Sequence, residues 1–307
     1  MNPYKIIRGL LWLVSLLPFP VLYAISDLCC LFVSKFYRTK VVRENLRSSF
    51  PEKSDKERKE IERKFYHLMC DNFVEDIKML SMSKEEMMRR MTFSGIEEIK
   101  KRHEAGQQFH FFYLSHFGNW EWIASINYWL QPWGRSGQIY HRLRNDVMDQ
   151  LFFDLREQYG GVNIKMRDTF RRILQLRRED TNYTIGFISD QQPKWNAIHH
   201  FVPFLNHDTA VFIGAEHIAR KVDAFMTYGR MSRPKRGYYH LDIIPMEDHP
   251  ATLPENTMTD RYFELLEADI KQHPEMWLWT HKRWSRTKEE WLRRQEKKED
   301  TPTTQEE

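Results

Sequence analysis

Residues 109–122, Phe-His-Phe-Phe-Tyr-Leu-Ser-His-Phe-Gly-Asn-Trp-Glu-Trp, constrain this chain more than any other stretch. The run Phe111 to Leu114 is continuous, apolar and aromatic, which predicts a short buried strand. It ends at Ser115-His116. Gly118 and Asn119 then break the pattern, and Asn119 is a good N-cap for a helix expected from Trp120 to about Tyr128. His116 therefore sits in a strand-to-helix turn, five residues before Glu121. That spacing is poor for two residues on one helix, but across a loop a carboxylate can reach back to an imidazole. A histidine held in this way can take a proton from an alcohol and tolerate the positive charge it gains. A purely structural His–Glu pair is the other reading of the spacing.

The remaining chain alternates in the same manner. Residues 9–26 carry no charge over 18 positions, and Leu28 to Val33 is apolar again after Asp27. Eighteen residues is near the minimum for a spanning helix, and Pro18 and Pro20 would break it. With no small-residue cleavage site, a removable signal peptide is rejected. The stretch reads as a membrane anchor, either one spanning helix or two short helices at the bilayer surface. Lys35, Arg38, Lys40, Arg43 and Arg47 follow it and put the bulk of the chain on the cytoplasmic side.

Ser54-x-x-Glu57 and Ser83-x-x-Glu86 are capping boxes. The first opens a helix with Ile61, Phe65, Leu68, Met69 and Phe73 on one face. Strands are expected near 109–115, 138–140, 183–189, 201–205, 222–231 and 238–244. Helices are expected near 95–103, 145–158, 168–178, 209–221 and 260–272. This alternation predicts an α/β fold, a central mixed sheet flanked by helices. The organisation expected is an anchor over 1–40, one catalytic domain over 41–290 and a charged, disordered tail over 291–307.

Composition narrows the partners. Ten Trp, twenty Phe and thirteen Tyr suit a chain at a membrane interface or one that grips acyl chains, although core packing uses the same residues. The net charge is +4, and the tail is acidic, so the body is near +6. A mildly basic body suits phospholipid headgroups, a phosphorylated glycolipid or an acidic carrier protein. No nucleic-acid motif is present. Cys29, Cys30 and Cys70 have neither zinc-ligand nor disulfide-framework spacing, and no metal or other cofactor is expected. His199, His200 and His207 read as surface histidines.

The string His116-Phe-Gly-Asn-Trp-Glu121 resembles the signature of the bacterial late lipid A acyltransferases, the lauroyl/myristoyl transferase family. The likeness extends from about residue 10 to 285. It takes in Arg43-Glu-Asn-Leu-Arg-Ser-Ser-Phe-Pro51, Ser189-Asp-Gln-Gln-Pro193 with Val202-Pro-Phe204, and the closing Trp277-Leu-Trp-Thr-His-Lys-Arg-Trp284. The resemblance implies a glycerolipid-acyltransferase-like fold, with His116 as general base and Glu121 orienting it. Asp190 would then matter for activity by orienting substrate or neighbouring basic groups. Tyr140-His-Arg-Leu-Arg-Asn145 resembles the family's Tyr-Arg-Pro-x-x-Asn segment, but His141 falls where Arg is usual, so Arg142 or Arg144 takes that role. Arg156, eleven residues after Asn145, matches the second functional arginine and could bind a phosphate or the Asp190 carboxylate. Asn119 and Gln191 complete the expected substrate contacts. The donor implied is acylated acyl carrier protein, the acceptor a hydroxyl of a lipid A precursor, and the location the inner membrane, facing the cytoplasm. A lysophospholipid or aminolipid acceptor, or a non-catalytic module binding anionic lipid, are the rival readings.

Overall fold

The structure, a computed structural model, describes residues 3–299. Five helices come first: α1 (Pro3–Ser15), α2 (Phe19–Phe36), α3 (Thr39–Ser49), α4 (Asp55–Lys78) and α5 (Lys84–Arg90). Then come β1 (Met91–Ser94), α6 (Ile96–Glu104), β2 (Phe109–Leu114), a 3₁₀ segment (Trp120–Ile126), α7 (Asn127–Leu130), β3 (Arg135–Tyr140), α8 (Asp146–Glu157) and β4 (Val162–Lys165). The second half holds α9 (Thr169–Leu176), β5 (Tyr183–Ile188), β6 (His200–Phe204), β7 (His207–Val211), α10 (Gly214–Val222), β8 (Phe225–Lys235), β9 (Tyr238–Glu247), α11 (Thr257–Gln272) and α12 (Lys288–Glu299).

Seven strands form one mixed sheet in the order β1-β9-β8-β2-β5-β3-β4, and β6 and β7 form a separate hairpin. All neighbours in the large sheet are parallel except the β8–β9 pair. The expected α/β fold with a mixed sheet flanked by helices is therefore present. β2 lies at the centre, paired on both sides and buried at every position, which is why it reads as an unbroken apolar run. Its polar groups are satisfied internally: His110 meets Thr184 and Thr227 and stacks on Phe225, and the Tyr113 hydroxyl meets Thr259.

Several expectations are corrected. The stretch after Asn119 starts as a 3₁₀ segment rather than an α-helix. Aromatic and β-branched residues fill it, and Ser125 Oγ bonds back to the Trp122 carbonyl. The helix expected from Thr209 begins only at Gly214. Leu205 and Asn206 both take positive φ and turn the chain directly into β7, a two-residue hairpin loop that Asn206 tolerates well. The closing aromatic string over 277–284 meets the turn after β2 through an isolated bridge from Trp277 to Phe117. Phe73, expected on the buried face of α4, is 59% exposed. The Ser54 capping box is reciprocal, whereas at Ser83 the hydroxyl accepts from Glu86 N. The four-residue edge strand β4 was too short to stand out in the sequence. The first part of the tail is helical as α12, and residues 300–307 lie outside the described residues.

The apolar N-terminal stretch is two helices broken at Leu16-Leu17-Pro18, with Pro20 accommodated in the first turn of α2. Among the described residues, α2 alone is long and apolar enough to cross a membrane.

Candidate active site

Strand register builds the site. β2 and β5 pair in parallel with a constant offset, from Phe109↔Tyr183 to Leu114↔Ile188. Ser189 N donates to the Leu114 carbonyl at 3.2 Å, so the pairing continues past both strand ends. The residues two positions beyond, His116 and Asp190, keep the same separation and meet. His116 Nδ1 lies 2.7 Å from Asp190 Oδ1, and the His116 amide donates to Oδ2 at 3.1 Å. The carboxyl ends of parallel strands are where α/β sheets place functional groups.

Asp190 is 1% exposed and accepts a third hydrogen bond, from the Trp277 indole at 2.8 Å. Burial works against its charge. The His116 ring and its hydrogen bond outweigh that, with the indole and the His116 amide, and hold the carboxyl below the usual aspartate range. An ionised Asp190 fixes the Nδ1–H tautomer of His116 and directs Nε2 away from it. Gln191 Nε2 lies 3.2 Å from His116 Nε2 and 3.5 Å from Nδ1, so the side-chain amide sits over the imidazole ring, beside the Nε2 lone pair.

The turn itself is clamped. Gly118 N donates to the Met276 carbonyl, Leu278 N donates to the His116 carbonyl, and Asn72 Nδ2 donates to the Gly118 carbonyl. Gly118 has φ +62°, and a Cβ there would lie 2.5 Å from Met231 Sδ, so only glycine fits. Trp120 packs its ring edge-on against His116, with centroids 5.0 Å apart.

Glu121 does not orient His116. Both of its oxygens are held by Arg156, Nε at 2.9 Å and Nη2 at 2.7 Å, a bidentate pair that fixes α8 to the turn. The carboxylate on the imidazole is Asp190. Arg156, expected to bind a phosphate or the Asp190 carboxylate, is paired instead with Glu121. Asn119, expected to contact substrate, has its side chain turned into the protein. It is 1% exposed, its Oδ1 caps Trp122 N at 3.2 Å, and its Nδ2 donates to Glu75 Oε2 at 2.9 Å. Glu75 also accepts from Tyr23 and Tyr239, and burial still raises its carboxyl above the usual range. Beside it Asp76, whose Oδ1 is buried without a partner, is raised well above the usual aspartate value. Burial is the first cause, then the charges of Glu121 and Glu75.

Arg142 pairs with Asp146 at 2.7 Å on the surface. It borders a polar cleft of about 670 Å³ at the carboxyl ends of β3 and β4, with Lys165, Arg171 and Arg172. Arg144 is exposed nearby and does not line that cleft. Two smaller cavities share Trp120. One, about 60 Å³, runs under the sheet among Leu114, Ile123, Ile139, Ile188, Glu121 and Arg156. The other, about 160 Å³, lies among Phe65, Met69, Phe73, Asp76, Trp120 and Met276. Among the described residues, no group of three or more His, Cys, Asp or Glu side chains could hold a metal.

Sequence reasoning missed two groups behind Asp190. Arg283 is 1% exposed, its Nη2 donates to the Ala210 carbonyl, and its Nε and Nη1 have no partner among the described residues. Burial pulls it down to about 10, opposed by Asp190 and Tyr262. His281 is pulled down to about 4, by burial and then by Arg283. Both lie in the closing aromatic string, whose spacing carries no sign that it folds back onto the strand ends.

Residues 5–286 match the bacterial lipid A biosynthesis acyltransferase family, nearly the whole chain. The chain belongs to this family. It is similar to the lipid A biosynthesis lauroyltransferase of Escherichia coli (strain K12), 25% identical over 294 residues, covering 90% of this chain and 89% of the relative. It is also similar to lipid A biosynthesis acyltransferase 2 of Shigella flexneri, 22% identical over 246 residues, covering 78% of this chain and 74% of the relative. The His116 ring and two largely apolar cavities meet at Trp120.

Proposed function

We propose that this acyltransferase moves a fatty acyl chain from acyl carrier protein to a hydroxyl of a lipid A precursor, with His116 as general base and Asp190 as the group that orients it. The observation that carries the reading is the 2.7 Å contact from His116 Nδ1 to Asp190, which leaves Nε2 as the acceptor turned away from the carboxylate. The acceptor hydroxyl approaches Nε2 and gives up its proton there. Its oxygen then attacks the thioester carbonyl to form a tetrahedral oxyanion. Collapse breaks the carbon–sulfur bond, the ester forms, and His116 returns the proton to the departing thiolate. Neither a covalent acyl-enzyme nor a metal enters these steps.

Glu121 and Arg156 hold α8 against the turn and thereby fix the walls of the narrow cavity under the sheet, a site for the acyl chain. Arg142 borders the polar cleft at this sheet edge, which makes it, rather than Arg144, the better placed of the two for phosphate oxygens of the acceptor. The basic residues that follow the apolar N-terminal stretch support attachment to the anionic cytoplasmic leaflet of the inner membrane.

The test is mass spectrometry of membrane lipids from cells with the gene, without it, and with His116→Ala. Loss of one acyl chain from lipid A in both the deletion and the variant is the expected result. Intact lipid A together with a missing phospholipid or aminolipid acyl chain would reassign the acceptor. No lipid change with the protein present would refute acyl transfer.

A further inference from the structure

We propose that α1 and α2 lie flat on a single leaflet of an anionic membrane and that neither helix crosses it. The observation behind this is the way α2 divides around its axis. Phe19, Leu22, Ser26 and Cys30, at helical spacing, are buried against the body of the protein. Val21, Ile25, Leu28, Leu31, Phe32 and Phe36 are exposed on the opposite side. A helix apolar on both faces but packed along one of them fits the boundary between a folded domain and lipid.

The packed face is polar where it matters. Tyr23 donates to Glu75 at 2.9 Å and Ser26 to Asp71 at 2.8 Å. Asp27 pairs with Arg236 at 2.6 Å, and Arg236 and Arg233 both reach Asp71 at 2.6 Å. If α2 crossed a bilayer with these contacts intact, α4 and the basic turn between β8 and β9 would enter the hydrocarbon with it. If α2 instead peeled away, Asp27 would enter alone and Asp71 and Glu75 would lose partners. Ionised groups in the hydrocarbon are costly in either arrangement.

The rest of the segment is tied down in the same way. Tyr4 donates to Asp154 on α8, and Lys78 donates to the Ser15 and Leu17 carbonyls at the break between the helices. The start of α1, the break and α2 are thus all held by the same body. α1 is 13 residues, about 20 Å, short of the ~30 Å hydrocarbon core. The charge pattern identifies the surface: the first forty residues hold Lys5, Arg8, Lys35, Arg38 and Lys40 against one acid, Asp27, which Arg236 already pairs.

The test is a topology measurement on the full chain in sealed membrane vesicles of both orientations. Protease-cleavable tags are placed at both ends, and Leu16→Cys is introduced with Cys29→Ser for a bulky membrane-impermeant maleimide. The expected result is cleavage of both tags from the same face, and no modification of Leu16→Cys from the other. Removal of the two tags from opposite faces would mean that α2 spans. Labelling of Leu16→Cys from the far face would mean that the helical pair crosses twice. Either outcome overturns the proposal. No turnover is read, so its failure is separate from a failure of the acyl-transfer reading.

Discussion

Replacing Asp190 by Asn, alongside Glu121→Gln, tests which carboxylate serves the base. Of the two carboxylates, Asp190 touches the imidazole, at 2.7 Å, while Glu121 is committed to Arg156. When His116 takes the acceptor's proton it becomes a cation whose charge centre lies about 4 Å from that of Asp190, worth roughly 4 kcal/mol at an effective dielectric of about 20. At about 1.4 kcal/mol per decade this is a loss of roughly 10³-fold in kcat. Asn adds a second defect, since its NH₂ favours the wrong imidazole tautomer. The assay is acyl transfer from acyl carrier protein to a lipid A precursor in detergent, with circular dichroism to establish that each variant is folded. His116→Ala and the double variant His116→Ala/Asp190→Asn complete the set, and the double is expected to be no worse than His116→Ala alone, as for groups that act as one unit. Glu121→Gln keeps the imidazole and its partner intact, so its loss is expected to be smaller and to show in KM as well as kcat. An Asp190→Asn enzyme retaining more than about a tenth of wild-type kcat, beside a Glu121→Gln enzyme down by about 10³, would refute the reasoning and return the orienting role to Glu121.

Three further outcomes follow from neighbouring contacts. Asn119→Ala removes a cap and a donor to buried Glu75, so it is expected to lower unfolding free energy by about 1–3 kcal/mol in denaturant titrations, with KM of the folded fraction unchanged. Gly118→Ala forces a left-handed alanine against Met231 and is expected to cost on the order of 2 kcal/mol or more, read as a lowered Tm. Asp76 has its folded-state pKa raised, so the folded protein holds a proton that the unfolded chain releases, and stability falls as pH rises above the usual aspartate value of 3.8. Asp76→Asn is therefore expected to raise Tm at pH 7–8 and to show a shrinking difference toward pH 4; an equal difference at both ends of that range would contradict the sign.

Much of the scaffold was legible because local signals and tertiary demands agree. The apolar runs at 109–115 and 183–189 are central strands because paired, buried strands must be apolar on both faces. The Ser54 box starts α4 because its two side chains satisfy each other's backbone donors. The errors fall where the deciding contact is remote. Thr209 and its neighbours read as helix until Leu205 and Asn206 turn the chain into a hairpin. Phe73 has helical spacing for the core but faces a cavity mouth. Asn119 looked available to substrate because nothing near it in sequence announces Glu75, 44 residues earlier.

The mistaken partner of His116 has the same origin. A carboxylate five residues on, beyond a glycine, is the nearest acid in sequence, and reaching back is geometrically reasonable for an open loop. The loop is not open. Gly118 is bonded on both sides to Asn72 and Met276, and the 3₁₀ segment begins at once at Trp120, so Glu121 is carried toward α8 and Arg156. The β2–β5 register meanwhile delivers Asp190 to Nδ1 from a strand that neighbours β2 in space but follows it by 74 residues. Both acids stand within a few residues of a strand end, and each has an ideal partner. Which acid meets the histidine is decided by the pairing of two strands, and that pairing can be inferred from sequence only when the lengths and ends of both apolar runs are compared with each other.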